Sequence, residues 1–449
     1  MAPENLAEQD QAIRLSSSAV EPMYQELLAV DLATTVQVAM AGNLDIEAAR
    51  ARVLGQHAGL VAARGRILPS LSPALAYEQV DGSVRATEGN LVDVAFQTTQ
   101  AWLVAAWIVN PGAAHYDLVA AKKRQSAALH DEQAVRMETL ERAAVGYYDL
   151  VIAQLAVESA RQAVVEAEEF LRITRARVRT GTGLAADEMR VRAELARRRQ
   201  DLILALRGFH EASLELSTTL DLDPIVTLAP STTTLSLTAL VDGDRPIEEL
   251  LALAVAYRED LRSVRLLVEA SRADERAARW RSLGPVLGLT GQAGSVRGNA
   301  DGVSGLGDVR QGPDGQERFA AGLGWRLDPS RVGVVAAIEV AGDLAGIETR
   351  RKLQEVRAQV VREDQESRAQ RALAEQARQE LEAASEAVRL TRANLQAGTM
   401  TTLDVLHAQN ELEQARLGSA TSVVRHNQAQ VRLLAALGLL DERALLSMP

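Results

Sequence analysis

The chain carries one long segment twice. Residues Leu171–Leu222 and Val388–Leu439 align without a gap at an offset of 217 residues, with fourteen identities in fifty-two positions. The identities include Arg172/Arg389, Thr174/Thr391, Arg175/Arg392, Gly181/Gly398, Thr182/Thr399, Asp187/Asp404 and Glu194/Glu411, and many of the remaining pairs exchange Leu, Val and Ile. An ungapped match of that length marks an internal duplication. Whatever one copy folds into, the other must fold into as well, so the chain has to be read in two halves.

The period inside the repeat is helical. Leu150, Val157, Val164, Leu171 and Val178 recur every seven residues, with Ala153, Ala160, Ala167 and Thr174 three positions on. Large and small knobs alternating in this way make a coiled-coil seam. The tract is free of proline up to TGTGLAAD (180–187), whose glycines predict a turn. A second helix, 188–221, then returns antiparallel to the first. The other half repeats the programme: Ala374, Leu381, Val388 and Leu395 with Ala377, Ala384 and Thr391, the turn AGTMTTLD, and a helix over 405–438. The long helices, 113–180 and 331–397, would each span roughly 100 Å at about 1.5 Å per residue. The flanking helices, 34–67 with 188–221 and 249–283 with 405–438, are each about half that length. Two short helices can therefore stack end to end beside each long one.

Composition agrees with helices rather than compact globules. Aromatic residues are only 3% of the chain, while Ala, Leu, Val, Arg, Glu and Gln dominate. The net charge of −11 and the interspersion of Arg with acids leave no nucleic-acid footprint. There are no cysteines, hence no disulfide, thiolate nucleophile or Cys-ligated metal. No apolar run approaches the roughly 20 residues of a spanning helix; the longest, Ala101–Val109, has the length of a membrane-spanning strand. The first residues, MAPENLAEQD, are polar and unlike a signal peptide, and two readings stand, a mature end or a cytosolic start.

Each half also contains a stretch of β-forming residues. Strand pairs are expected over 73–109, around a loop at Asp81–Asn90, and over 285–327, around a polar loop at Ser295–Glu317. Asp260–Val268 resembles Asp45–Val53, AARWRSL (277–283) resembles AARGRIL (62–68), and Trp325–Pro329 matches Trp107–Pro111. A two-strand ribbon is marginal alone and four strands are too few to close a barrel. The chain therefore calls for a homo-oligomer with cyclic symmetry.

In these features the sequence resembles the TolC family of outer-membrane efflux and secretion channels. The motifs that carry the resemblance are LRSVRLLVEASRADERAARWRSLGPVLGL, WRLDPSRVGV and RANLQAGTMTTLDVLHAQNELEQARL, the last with its counterpart RARVRTGTGLAADEMRVRAELARRR. They fall within a similarity covering residues 31–440. The resemblance implies a mainly α fold with a small β part. Long antiparallel coiled-coil helices would form an α-barrel, and a homotrimer would share a twelve-stranded β-barrel, four strands per protomer. The expected organisation is an extended equatorial segment 1–33, repeat one 34–221, an equatorial linker 222–248, repeat two 249–438 and a tail 439–449. The implied protein is no enzyme and uses no cofactor. It is the passive exit duct of a tripartite efflux pump or type I secretion system, set in outer-membrane lipid with a periplasmic helical tube. Its partners would be a periplasmic adaptor and an inner-membrane transporter that supplies the energy. The alternative is a periplasmic or soluble coiled-coil scaffold with TolC-like repeats that does not insert.

The resemblance also assigns site residues. Gly181, Thr182, Gly398 and Thr399 would form tip turns that touch the adaptor, although a glycine there also simply lets the chain reverse. Asp187 follows the first turn, where a carboxylate favours the helix dipole. Asp404 would help ring the constricted periplasmic mouth. The archetype carries a second Asp where this chain has His407, three residues on and on the same helical face, and an Arg latch where it has Met400. Trp102, Trp107, Phe319 and Trp325 read either as an interfacial girdle or as the core of a soluble β-cap. The other histidines show no ligand spacing, and GVSGLG (302–307) lacks the strand, helix and Lys of a phosphate loop.

Overall fold

The computed structural model describes residues 27–85, 89, 91–181, 183–231, 237–238, 240–243, 245–301, 309–325, 330–397 and 399–446. They divide into two compact units, one built from residues 1–51, 130–262 and 351–449 and the other from 52–129 and 263–350.

The first unit is set by the duplicated seams. Helices α3 (Pro111–Arg179) and α4 (Ala185–Thr219) flank one glycine turn, and α7 (Ser330–Gln396) and α8 (Thr402–Ala436) flank the other. Ala167, Leu171, Val191 and Leu195 bury one another, with Val164 packed against them. In the second hairpin Val388, Ala408 and Leu412 do the same, with Leu381 and Ala384 alongside. The offset of 217 carries each of these five residues onto its counterpart, so the duplication is a duplication of contacts. Burying each Leu- or Val-sized side chain contributes about 1.5–3 kcal/mol. The small Ala positions let the helices approach closely.

The core of this unit lies further along the same helices. Leu150, Phe209, Leu216, Leu250, Leu433 and Leu437 are almost wholly buried there. Two short strands, β1 (Leu27–Val30) and β4 (Thr227–Pro230), pair in parallel over it. This pairing joins segments almost 200 residues apart, and no periodicity of four residues announces it. A last short helix, α9 (Glu442–Leu446), closes the described chain.

Two helices expected as single runs are each interrupted. Helix α1 (Leu32–Gly42) stops at Asn43 and α2 begins at Leu44, running to Gly65. Helix α5 (Ile247–Tyr257) stops at Arg258 and α6 (Glu259–Leu283) begins at once. The physical reason is a shared junction. Asn43 Oδ1 accepts from the N–H groups of Asp45 and Ile46 at 3.0 and 3.3 Å, capping α2, while its Nδ2 donates to the Thr219 carbonyl at the end of α4. Arg258 reaches the equivalent carbonyl of the second half, donating from Nη1 to Ala436 O at 3.3 Å, and forks onto both Asp260 oxygens at 2.9 and 2.7 Å. Just beyond, Asp221 and Gly438 occupy the left-handed region at φ 54° and 76°. Asp221 uses that turn to accept from Leu44 N at 2.8 Å. At Gly438 a Cβ would lie 2.9 Å from Arg258 N, so only glycine fits. Each junction thus ties a helix C-terminus to the start of another helix, and satisfies groups both would leave unpaired.

The second unit contains a four-stranded antiparallel sheet of β2 (Ser70–Arg85), β3 (Leu91–Val109), β5 (Val286–Asp301) and β6 (Val309–Gly324), in the order β2-β3-β5-β6. Its strands extend beyond the expected bounds. Asp81–Arg85, read as loop, pairs with Leu91–Ala95. Much of Ser295–Glu317, also read as loop, is ladder, with a register shift between Val296 and Gly298. Polar and Gly-rich composition suggested a loop because isolated strands of that kind are weak; cross-strand hydrogen bonding overrides the propensity. At the base of the sheet Asn110 caps α3, its Oδ1 accepting from Ala113 N at 3.0 Å and its Nδ2 donating to Trp280 O at 2.8 Å. The Trp280 ring fills the space beside Gly112, where a Cβ would sit 2.0 Å from it.

Removing the cap at the first junction tests this account. Asn43→Ala should destabilise the protein by about 1–2 kcal/mol, because it deletes an N-cap and leaves the half-buried Thr219 carbonyl without this donor. Asn43→Asp, which keeps the cap but not the donor, should lose less. Denaturant unfolding followed by circular dichroism measures both.

Candidate functional site

The two glycine turns hold most of the sequence-predicted site residues, and each is closed differently. Gly181 lies at φ 77°, with its N–H bonded to Val178 O at 3.1 Å and open space where a Cβ would stand. Thr182 and Gly398 fall outside the described residues. Thr399 closes the second turn, its N–H and hydroxyl both donating to Asn394 O, at 3.0 and 3.1 Å.

Asp187 and Asp404 are equivalent in sequence and do different local work. Thr401 is the N-cap of α8 and forms a capping box with Asp404: the Asp404 carboxylate accepts from Thr401 N and from its hydroxyl, both at 2.7 Å. The hydroxyl and N–H of Thr401 hold the Asp404 carboxyl below the usual carboxylate range, with a smaller contribution from His407. In the first turn the N-cap position belongs to Leu184, which has no side-chain acceptor. Asp187 there makes a 3.6 Å ion pair with Arg190. Its neighbour Glu188 accepts from Arg175 Nε at 3.0 Å, tying the two arms of the hairpin. Asp404 and His407 are both exposed, as is Met400.

The sheet sorts the aromatic residues by face. Directly paired residues share a face, and successive residues alternate. One face carries Leu71, Leu75, Tyr77, Leu103, Trp107, Leu289, Phe319 and Leu323, joined through pairs such as Leu75↔Ala101, Trp107↔Leu289, Gly291↔Phe319 and Leu287↔Leu323. Most of this face is exposed; Phe319 is 82% and Leu75 79% accessible. From Leu71 to Tyr77 the apolar run covers about 20 Å of strand, close to the roughly 25 Å apolar band of outer-membrane barrels. The other face is the more polar on β2, β5 and β6, with Ser70, Ser72, Glu78, Gln292 and Arg318, while β3 places Val104 and Ile108 there beside Gln100. Trp107 donates its Nε1–H to Ile67 O at 2.7 Å, and Trp325, just after β6, is exposed. Trp102 lies with the polar residues. It lies on the opposite face of the sheet from Trp107 and Phe319, a placement that only the strand register supplies.

A further group, unseen in the sequence, lies in the first unit. A cleft of about 320 Å³ is lined by Glu138, Glu141, Arg258, Asp260, Lys352 and Gln359, among others. Burial pushes the Glu141 carboxyl up to about 7; Glu363 and Glu138 add to the shift, and Arg432 and Arg258 oppose it. The carboxyl of Glu363 is raised as well, chiefly by its own burial. Seven-residue spacing hides these acids because it reports apolar positions only. Among the described residues no group of His, Asp or Glu is arranged to hold a metal, and no helix is long and apolar enough to cross a membrane.

Duplicated hairpins, sheet and seams have a counterpart among known sequences. The family described as outer membrane efflux protein matches residues 35–220 and 250–439, which is most of the chain. This protein belongs to the outer membrane efflux protein family. Solved structures agree on the fold. The Campylobacter jejuni CmeC outer membrane channel superposes with a TM-score of 0.77 at 17% identity, over 92% of this chain and 87% of that one. A membrane protein from Pseudomonas aeruginosa gives 0.78 at 19%, covering 92% and 93%. The outer membrane protein VceC from Vibrio cholerae gives 0.75 at 18%, covering 91% and 96%. No curated protein matches the chain. As a member of this family the protein is a passive export channel of the outer membrane with a long periplasmic helical part, and not an enzyme.

The raised Glu141 has a consequence for pH. Its folded value lies above the unfolded one, so the stability linked to it is fully present below pH 4.5 and is lost as pH rises towards 7. Glu141→Gln should therefore stabilise the efflux protein by about 3 kcal/mol at pH 8 and change little at pH 4. Unfolding midpoints of the two proteins at both pH values provide the check.

Proposed function

We propose that three copies of this efflux protein close a shared twelve-stranded barrel, and that the assembly is the exit duct of a tripartite efflux pump or type I secretion system. The observation that carries this reading is the sheet. Its outer strands β2 and β6, sixteen residues each, pair on one side only within the chain. In lipid every backbone group has to be satisfied internally, which open edges forbid and closure through β2 and β6 of neighbouring copies provides. The apolar face suits lipid and the polar face suits a water-filled lumen. Helix α7 exposes Val332, Val334, Val340, Leu344 and Ile347, an apolar surface that neighbouring copies would cover. The solved structures of similar fold are described as outer-membrane channels or membrane proteins, which supports the same reading.

The partners follow from the duct being passive. An inner-membrane transporter supplies the energy, and a periplasmic adaptor docks on the tip turns at Gly181, Thr182, Gly398 and Thr399. Asp187 helps set the start of its helix beside that surface. Asp404 lines the periplasmic mouth with His407 one turn away, and Trp107, Phe319 and Trp325 lie at the membrane interface.

The mouth is tested in planar bilayers. Reconstituted protein should form channels that are cation-selective at neutral pH, since Thr401 keeps Asp404 ionised and three copies would converge. Asp404→Ala should abolish the selectivity. Reversal potentials under a salt gradient measure this; selectivity unchanged by Asp404→Ala would place the constriction elsewhere.

The tip is tested by bulk. Because a Cβ at Gly181 meets nothing within 4 Å among the described residues and the positive φ burdens any side chain alike, Gly181→Trp and Gly181→Ala carry the same backbone strain, about 1–2 kcal/mol. Gly181→Trp should block export while leaving the trimer intact, and Gly181→Ala should export normally. Equal loss in both would assign the effect to strain instead of adaptor contact.

A further inference from the structure

Trp102 is a large aromatic residue set among mostly small and polar neighbours on the sheet. Its cross-strand partners are Ala74 on β2 and Gly294 on β5. A Cβ on Gly294 would stand 2.3 Å from Trp102 Cε3 and 2.8 Å from Cδ2, so the indole lies against bare backbone that glycine keeps open. The ring is half-buried. Its Nε1–H donates to Gln100 Oε1 at 3.2 Å, on the same face and strand. The indole is thus held at both its polar and its apolar side, and its remaining surface faces the polar side of the sheet. Ser72, Ala74, Ala76 and Gly294 around it are all small, and Val104 follows it on the same face.

We propose that Trp102 is a specificity-determining contact on the inner wall of the duct, where planar aromatic molecules among the exported substrates stack as they pass. The proposal rests on barrel closure as read above, which turns the polar face inward and brings three copies of the ring around one lumen. Aromatic faces attract other aromatic rings in offset or edge arrangements and attract cations over the ring. A solute with a flat ring system would dwell at Trp102, whereas an aliphatic ion of similar charge would pass. The neighbouring Gln100 and Gln292 supply no net charge, so the ring system of the solute, more than its sign, decides the contact.

Two measurements on the full-length reconstituted protein test it. The first compares tryptophan emission of wild type and Trp102→Phe, whose difference reports Trp102 alone. Iodide in the aqueous phase should quench that difference signal, and phospholipids brominated on their acyl chains should not. Quenching by the brominated lipid would put Trp102 against the membrane and overturn the proposal. The second follows single-channel current with ethidium as the planar aromatic probe and N-methyl-D-glucamine, a strongly hydrated cation without a ring, as the control. Ethidium should block the wild-type channel, Trp102→Ala should weaken that block about fivefold, and Trp102→Phe should keep most of it, with N-methyl-D-glucamine unaffected throughout. An absence of ethidium block in wild type, or equal block in Trp102→Ala, would overturn the proposal. If wild type opens no channel at all, the duct reading fails, and the quenching result still reports which face Trp102 occupies.

Discussion

Helix ends leave backbone groups without partners, and the first unit of this protein is organised around satisfying them twice. At one junction Asn43 caps α2 and donates to the Thr219 carbonyl; at the other Arg258 donates to the Ala436 carbonyl. The duplicated architecture is therefore kept by geometry and not by residue identity. Asn43 is short and needs Asp221, in a strained left-handed turn, to reach Leu44 N. Arg258 is long, and its approach leaves room only for glycine at position 438. The two solutions end helices at the same places and let the following helix start without a loop. The Leu–Ala seams on either side depend on that register, since a one-residue slip at a junction would rotate every knob by about 100°.

The glycine turns show the same divergence under a shared outline. Asp187 and Asp404 descend from one position, yet Leu184 leaves the first without a cap partner while Thr401 draws the second into a box. Two donors from Thr401 hold the Asp404 carboxyl below the usual range, whereas Asp187 has no cap partner and faces Arg190. This asymmetry favours Asp404 as the acid at the mouth, and its cause is the single exchange of Leu for Thr three residues earlier.

In the sheet, function is a matter of parity. Among the described residues the four strands pair β2 and β6 on one side only, and they separate a more apolar face from a more polar one, the alternation that a membrane barrel requires. Gly291 and Gly294 lie on β5, where they accept the Phe319 and Trp102 rings and would weaken an isolated strand. Their cost in strand propensity is offset by the rings that lie over them.

Sequence alone determined the duplication, the seams and the turns. Each of these is written in spacing: seven residues for a seam, 217 for the repeat, a pair of glycines for a reversal. Tertiary structure decided what spacing cannot encode. The breaks at Asn43 and Arg258 arise because distant carbonyls at Thr219 and Ala436 need donors. The β1–β4 pair forms across almost 200 residues, and Asp81–Arg85 becomes strand because a partner lies beside it. The side of the sheet on which Trp102 sits follows from register, and register is set by which strands meet, since a shift of one residue exchanges the faces. Glu141 is raised by burial among helices that no local pattern brings together.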